Sequence, residues 1–407
     1  YCLFRHEARG PDSAIAGRYG EICAVPGNSV AGDLSSPQIL KNSFILCLCN
    51  FKRENNNFLT EIKLHTSKMS TSVFVSGATG FIAQHIVQLL LSKGYSVVGT
   101  VRSAEKGDHL TKLFNSDKFS YEIVPDVEPV GAFDEALKKH PEVTVFLHTA
   151  SPFHFKATNV EEELLKPAVN GTKNALSAIQ KYGPQITKVV VTSSYAAIAT
   201  AELVTDPNHT NTEESWNTIS WEDSQKDAQL GYRGSKKFAE KAAWDFVAAE
   251  KPNFTINYVN PLFVFGPQAF DSEVKDELNT SSEFINSFLK MTGNEPVPAF
   301  KGGFVDVRDV AKAHLVAFEK DLSNQRLLLN SGRVTGQDIA DVLNDNFPSL
   351  KGKIPVGKPG SGEEIGAGMC KIDNSKTRDI LGFPLIDLKT SVVDSVEQIF
   401  KARGASV

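Results

Sequence analysis

Apolar runs that are typical of strands alternate with runs that are typical of helices from residue 72 onwards. The strand-like runs are 72–77, 95–101, 119–125, 144–150, 188–194 and 256–261, and the helix-like runs are 81–93, 105–115, 132–139, 160–182 and 232–250. Strands that are separated by helices pair in parallel through right-handed crossovers. The pattern therefore predicts an α/β fold with a Rossmann-type, doubly wound parallel sheet.

The ends of the chain depart from this rhythm. Residues 1–68 lack sustained periodicity, and the first methionine is Met69, so we expect residues 1–68 to be a non-native or disordered extension. A transit peptide is the alternative, although acidic residues are frequent there. We expect residues 69–262 to form a nucleotide-binding Rossmann domain, to which 304–320 returns. Residues 263–407, with several stretches rich in glycine and proline, are expected to form mainly a smaller substrate-binding lobe.

Composition narrows the class of partner. The net charge of −5 over 407 residues argues against a broad surface for nucleic acid. No apolar run approaches the roughly 18 residues that a membrane-spanning helix needs. Four of the five cysteines precede Met69, which favours a reducing, cytoplasmic setting. We therefore expect a small molecule as the partner, and we expect the protein to be a monomer or homodimer. The scattered histidines give no metal-ligand spacing.

Three small residues stand three apart between the first strand and the first helix. In SGATGFIA, Gly77 allows a tight turn, Gly80 leaves room for a pyrophosphate, and Ala83 lets the helix pack on the strand. The helix that begins near Phe81 presents unpaired backbone N–H groups to phosphates. At this place in an alternating α/β chain, the pattern predicts a dinucleotide site.

The second strand indicates which dinucleotide binds. It ends in GTVRS and brings Arg102 to the place where NAD-selective sites carry an acidic residue, and Lys106 follows one helical turn later. Two cations at this point favour a 2′-phosphate. The sequence therefore predicts NADP or NADPH as the cofactor, and two solvated surface charges are the alternative.

A tyrosine and a lysine four residues apart supply the proton chemistry. Tyr232 and Lys236 in GYRGSK project from one side of a helix. We expect the ammonium group to lower the pKa of the phenol and to hold the nicotinamide ribose. Ser194, at the end of the strand KVVVTSS, is the candidate that binds the substrate carbonyl, with Ser193 as the alternative. The set predicts hydride transfer with Tyr232 as proton donor.

These motifs resemble those of the extended short-chain dehydrogenase/reductase family, in its fungal dihydroflavonol-reductase-like group. The resemblance rests on SGATGFIA, GTVRS, HTASPF, VNGTKN, VTSSYAA, YRGSK, NPLFVFGP and DVRDVAKAH, and it spans Met69 to about Arg403. It implies Ser194, Tyr232 and Lys236 as the catalytic set. The cofactor contacts that it implies are Gly77, Ala78, Thr79, Gly80, Phe81, Ile82, Arg102, Lys106, Asp126, Val127, Tyr232, Lys236, Val264 and Ser281. Asn170 corresponds to the asparagine that completes a proton relay in related enzymes.

The resemblance implies an NADPH-dependent reductase of aldehydes, α-dicarbonyls and ketones. Candidates for an apolar wall of the substrate pocket are Phe153, Tyr195 and Phe263. Each of them could equally be part of the hydrophobic core. A nucleotide-sugar epimerase or dehydratase and a non-catalytic NADP-sensing protein are the competing functions. Arg102 argues against the first, because those enzymes usually keep NAD, and the presence of both Tyr232 and Lys236 argues against the second.

Overall fold

A computed structural model gives the structure of residues 71–151 and 157–404. The expected extension, residues 1–68, lies outside the described residues, as does Phe153. Within the described ranges, no helix combines the length and the apolar character that crossing a bilayer requires.

The described chain alternates strands and helices in the first two thirds, as predicted. The strands are β1 (Ser72–Ser76), β2 (Ser96–Val101), β3 (Phe119–Ile123), β4 (Val143–His148), β5 (Lys188–Thr192), β6 (Thr210–Asn211), β7 (Thr255–Pro261), β8 (Phe263–Phe265), β9 (Lys301–Asp306), β10 (Arg326–Leu329), β11 (Gly332–Thr335) and β12 (Lys371–Ile372). The α-helices are α1 (Phe81–Ser92), α2 (Ala104–Phe114), α3 (Asp134–Lys138), α4 (Lys166–Tyr182), α5 (Ala228–Glu250), α6 (Thr280–Phe288), α7 (Val307–Glu319), α8 (Gly336–Asn346), α9 (Gly362–Gly366), α10 (Ser375–Leu381) and α11 (Leu388–Ala402). A π-helical turn, Glu161–Leu165, leads into α4.

Seven strands form the main sheet in the order β10-β7-β5-β4-β1-β2-β3, and every neighbouring pair is parallel. The predicted doubly wound, Rossmann-type sheet is thus confirmed. Strand order reverses between β1 and β4, and the crevice outside the carboxyl ends of these strands is where open α/β sheets bind ligands.

Alternate residues of β1 serve the two faces of the main sheet. Val73 and Val75 pack into the apolar cluster that includes α1 and α7. Phe74 points to the other face, where its ring stacks on Phe146 of β4 at 4.9 Å between centroids. Both faces of the sheet are therefore buried, which explains why its strands are almost continuously apolar.

A smaller lobe follows β7, as the sequence predicted. Its three-stranded sheet has the order β11-β9-β8, and α6, α8 and α11 contribute to its apolar core. Within the range 304–320, which the sequence predicts to return to the main body, α7 packs on α1, and the boundaries of the predicted domains stay a prediction. The sequence pattern did not predict β10, which pairs with β7 at the edge of the main sheet. This strand of four residues is too short for its pattern to be distinguished from a loop.

The helix that carries Tyr232 begins earlier than predicted. Asp227 accepts hydrogen bonds from the backbone N–H groups of Gln229 and Leu230, at 2.8 Å each, and thereby starts α5 at Ala228. An aspartate in this position satisfies donors that the first helical turn leaves unpaired. Tyr232 therefore lies in the second turn, where the helix is fully formed.

Candidate active site

The turn between β1 and α1 has the geometry that the sequence predicts for a phosphate site. Gly77 adopts a φ of +69°, and a Cβ there would lie 3.0 Å from Ala150 Cα. Its N–H donates to Thr100 Oγ1 at 2.9 Å, which ties the turn to β2. Gly80 precedes α1 without a side-chain cap, and the first turn of this helix holds no acidic residue. The N–H groups of α1 therefore fit the pyrophosphate of a dinucleotide.

Two cations follow β2 on the surface. Arg102 and Lys106 are exposed, and neither forms an ion pair with any residue in the described ranges. Ser103 caps α2 by accepting from the backbone N–H of Lys106. No carboxylate stands in the segment 101–104 that ends β2, so the residues present fit a 2′-phosphate.

Predicted contacts on the next loop are held by an asparagine that sequence reasoning missed. Asp126 is exposed, and Val127 packs partly into the core. Asn174 Nδ2 of α4 donates to the carbonyl of Val127 at 3.0 Å and to the two carbonyls that follow it. Asn170, one turn earlier, donates to Glu128 Oε1 at 3.3 Å and so faces this loop. Its proposed part in a proton relay stays a prediction.

Ser194 and Tyr232 meet at the carboxyl edge of the main sheet. Ser194 lies just beyond β5 and is 8% exposed, and its Oγ accepts from the backbone N–H of Ala196 at 3.1 Å. Tyr232 Oη donates to the same Oγ at 3.2 Å. The predicted pair is therefore brought within hydrogen-bond distance, although 38 residues separate the two positions.

The close approach of α5 depends on a glycine two residues after the tyrosine. A Cβ at Gly234 would lie 2.1 Å from Ser224 Oγ and 3.2 Å from Leu165 Cδ2. Real Cβ atoms essentially never form contacts below 3.0 Å, so any side chain here would force the helix or these neighbours to shift. Gly234 thus lets α5 pack closely on the segment around Ser224 and on the π-helical turn that ends at Leu165.

Lys236 lies one turn after Tyr232, and its Nζ is 5.9 Å from the centroid of the phenol ring. Burial lowers the pKa of Lys236 to about 8. Burial also raises the pKa of Tyr232, whereas the hydrogen bond with Ser194 and the charge of Arg233 act to lower it. The pKa of Tyr232 is thus raised overall because desolvation is the largest influence, and the predicted lowering by Lys236 stays a prediction.

A buried histidine beside Lys236 was also missed. Ser76 Oγ accepts from the backbone N–H groups of Thr149 and Ala150, at 3.0 Å each, so its own hydrogen is left for His148 Nδ1, also 3.0 Å away. The neutral ring then carries its hydrogen on Nε2. Burial, with a smaller contribution from the charge of Lys236, lowers the pKa of His148 to about 4. The signal in the sequence was the HTASPF motif, which places this histidine at the carboxyl end of β4.

The alternative candidate, Ser193, is engaged elsewhere. Its Oγ donates to the buried carboxylate of Glu240 at 2.5 Å. Ser193, His148 and Lys236 line one small cavity at the edge of the sheet. Since the hydroxyl hydrogen of Ser193 is committed to Glu240, the geometry favours Ser194 as the residue that faces a substrate.

The remaining predicted residues lie further from this pair. Val264 of β8 is buried in the main core, and Ser281 lies half-buried on α6. Tyr195 Oη accepts from Asn211 Nδ2 at 2.9 Å. Phe263 is 44% exposed and packs edge-on against Phe300. Among the described residues no ring contact joins Tyr195 to Phe263, so a shared substrate wall stays a prediction.

Side chains that could bind a metal ion are not clustered in the part of the chain that the structure describes. There, no group of three or more histidine, cysteine, aspartate or glutamate side chains could hold a metal ion.

Comparison with known proteins identifies the class to which this fold and site belong. The chain belongs to the NAD dependent epimerase/dehydratase family, which it matches over residues 73–329. It is 56% identical over 336 residues to a putative NADPH-dependent methylglyoxal reductase of Candida albicans, covering 81% of this chain and 98% of that protein. It is 50% identical over 339 residues to the NADPH-dependent methylglyoxal reductase of Saccharomyces cerevisiae, covering 82% and 99%.

A solved structure extends the likeness to three dimensions. The crystal structure of the yeast methylglyoxal/isovaleraldehyde reductase complexed with NADPH superposes with a TM-score of 0.81 at 49% sequence identity. The match covers 83% of this chain and all of that one. Similarity therefore extends through the smaller lobe and is not confined to the nucleotide-binding sheet.

The buried His148 predicts a loss of stability in acid. Its pKa in the folded chain, about 4, lies below the ordinary histidine value of 6.5, so the unfolded chain binds more protons between these pH values. Its contribution is intact above about pH 6.5 and falls by about 3 kcal/mol as the pH drops to about 4. Urea unfolding at both pH values should show a smaller acid loss for His148→Gln than for the wild type. Equal losses would contradict the prediction.

Proposed function

We propose that this chain is an NADPH-dependent carbonyl reductase that converts aldehydes, α-dicarbonyls of the methylglyoxal type and ketones into alcohols. One observation carries the proposal. Tyr232 Oη lies 3.2 Å from Ser194 Oγ at the carboxyl edge of a parallel sheet, with Lys236 one helical turn away. A phenol and a hydroxyl aimed at one place suit the protonation of a carbonyl oxygen.

The relatives support both the reaction class and the cofactor. Two curated relatives at 50% identity or more are named as NADPH-dependent methylglyoxal reductases, the Candida protein putatively. NADPH is bound in the yeast reductase structure. In this chain, the uncapped start of α1 and the exposed Arg102 fit the pyrophosphate and the 2′-phosphate respectively. NADPH is therefore the cofactor that we assign.

Each of the three proposed catalytic side chains has a separate role at the carbonyl oxygen of the substrate. The nicotinamide supplies the hydride when NADPH is bound. Because its pKa is raised, Tyr232 stays protonated at neutral pH and can donate its proton to that oxygen. Without a substrate, Ser194 Oγ accepts from Tyr232 and from Ala196, so its own hydrogen is available for the substrate oxygen. When a carbonyl binds, the hydrogen of Tyr232 turns from Ser194 to that oxygen. Lys236, when charged, stabilises the negative charge left on Tyr232.

Nucleotide-sugar epimerase or dehydratase chemistry is the alternative within the family. Enzymes of that kind usually keep NAD bound, whereas here Arg102 stands exposed at the end of β2. A purely sensing role is disfavoured because Ser194 and Tyr232 retain hydrogen-bonding geometry. The proposed reductase function thus explains more of these site residues than either alternative does.

We also propose a cytoplasmic location and a monomeric or homodimeric state. Cys370, the cysteine within the described residues, is a buried free thiol, which suits a reducing compartment. Fractionation of cells tests the first proposal, and light scattering of the purified chain tests the second.

The proposed reaction predicts a large loss of rate when the phenol is removed. Tyr232→Phe should lower kcat for NADPH-dependent reduction by about 10²-fold or more, because the proton donor is absent. NADPH oxidation measured against a panel of aldehydes, α-dicarbonyls and ketones gives the result. Tyr182→Phe, on α4 and away from the site, is the matched control. Undiminished reduction of every carbonyl by Tyr232→Phe would overturn the proposal.

The exposed arginine predicts the choice of cofactor. Arg102→Ala should lower kcat/KM for NADPH about tenfold or more and leave the value for NADH nearly unchanged, since a charged hydrogen bond to the 2′-phosphate is lost. Lys112→Ala removes an exposed cation from the opposite end of α2 and serves as the control. A wild-type preference for NADH would contradict the assignment.

The lowered pKa of Lys236 predicts the alkaline limb of the pH profile. Activity should fall above about pH 8, where Lys236 loses its charge, because its pKa is lowered whereas that of Tyr232 is raised. In Lys236→Arg the charge persists, so the limb should move upward by more than about one pH unit. Profiles of kcat/KM at saturating NADPH provide the measurement. A limb at the same pH in both proteins would show that another group titrates.

A further inference from the structure

A buried glutamate continues the face of α5 that carries Tyr232 and Lys236. Glu240 follows them at the same spacing of four residues, so the three side chains lie in one row along the helix. Only 1% of Glu240 is exposed. A carboxylate at such depth is costly unless charges and hydrogen bonds compensate it. The residues that contact Glu240 therefore indicate the role of its carboxylate.

Three side chains reach Glu240 from strands of the main sheet or their ends. Ser193 Oγ donates to Oε2 at 2.5 Å from the end of β5, and Asn260 Nδ2 donates to the same oxygen at 2.8 Å from β7. Arg326 of β10 places its Nε 2.7 Å from Oε1. This last contact is an ion pair without the geometry of a directed hydrogen bond. One carboxylate thus joins the helix to three strands.

The counter-ion is itself fixed. Arg326 is 5% exposed, its guanidinium carbon lies 4.1 Å from the centre of the Trp216 ring, and Nη1 donates to the backbone carbonyls of Glu213 and Ser215. These contacts leave the guanidinium little freedom to follow Glu240 if the helix moves. The pair therefore acts as an anchor and not as a mobile surface ion pair.

The anchor reaches the proposed active site through Asn260. The same Nδ2 that donates to Glu240 also donates to the backbone carbonyl of Ser194 at 3.2 Å. The opposite orientation of the Asn260 amide would turn Oδ1 towards the carboxylate of Glu240, and two oxygens without hydrogen repel each other. The negative charge of Glu240 therefore selects the orientation in which Nδ2 reaches Ser194, and Oδ1 has no hydrogen-bond partner among the described residues. Ser193, the residue before Ser194, is held by the carboxylate directly.

We propose that Glu240, with Arg326 as its counter-ion, is a positioning residue that fixes Ser194 at hydrogen-bonding distance from Tyr232. Glu240 touches neither substrate nor cofactor in this assignment. It sets the distance between a hydroxyl on the sheet and a phenol on the helix, because it holds both elements at once. The inference rests on the proposed function, since it concerns the same hydroxyl pair.

A double-mutant cycle separates positioning from mere stabilisation. Glu240→Gln should lower kcat about tenfold while the Kd for NADPH, followed by cofactor fluorescence, changes less than about twofold. In a Ser194→Ala background, the same Glu240→Gln change should have almost no further effect on kcat. Asp245→Asn, which removes an exposed carboxylate from the same helix, is the matched control and should leave kcat unchanged.

A second pair of variants tests the proposal even if Glu240→Gln does not fold. Ser193→Ala removes one of the bonds and keeps the ion pair, and it should lower kcat in the same direction by about two- to threefold. Ser193→Thr keeps the hydroxyl and should restore most of the rate. Circular dichroism checks that each protein is folded. If Glu240→Gln fails to fold, the proposal is judged on whether Ser193→Ala is slow and Ser193→Thr recovers.

The outcomes distinguish this inference from the proposed function. Equal effects of Glu240→Gln with and without Ser194, or an unchanged kcat accompanied only by easier unfolding in urea, would overturn the positioning role and leave the reductase intact. An unchanged kcat in folded Ser193→Ala would do the same. A wild-type chain that reduces no carbonyl with NADPH would overturn both.

Discussion

The close packing of α5 across the carboxyl edge of a parallel sheet is the constraint on which the candidate site depends. Parallel strands bring their carboxyl ends to one edge, and Ser194 lies there because β5 ends just before it. The phenol comes from another element, so its distance from Ser194 depends on how near the helix approaches. Glu240, on the same helix, secures that approach through its bonds to Ser193 and Asn260.

Much of this arrangement could be predicted from the sequence because its signals are local. Alternating apolar runs predicted the strand and helix order, and the turn at Gly77 could be placed because glycine is the residue that suits its positive φ. The pairing of Tyr232 with Ser194 also followed, since strand ends and helix starts of parallel sheets gather at one edge. These inferences use a sequence pattern and its place in the chain, and they need no distance between atoms of the folded protein.

What escaped prediction depends on contacts between distant parts of the chain. Glu240 resembles a solvent-facing charge in the sequence, and only the fold shows Arg326 beside it. The overall rise in the pKa of Tyr232 could not be predicted, because the sequence gives its charged neighbour but not the degree of burial. The tautomer of His148 likewise depends on Ser76, 72 residues earlier. Desolvation and long-range pairing are properties of the folded chain alone.

The position of β10 has a consequence for the biosynthesis of this chain. The polypeptide leaves the main sheet after β7, builds β8 and β9, and only then supplies β10 as the outer neighbour of β7. While the ribosome is still making these segments, β7 presents an open row of backbone donors and acceptors, which is a template for wrong pairing. Arg326 arrives on the same strand, so the buried carboxylate of Glu240 also lacks its counter-ion until the ribosome has passed residue 326.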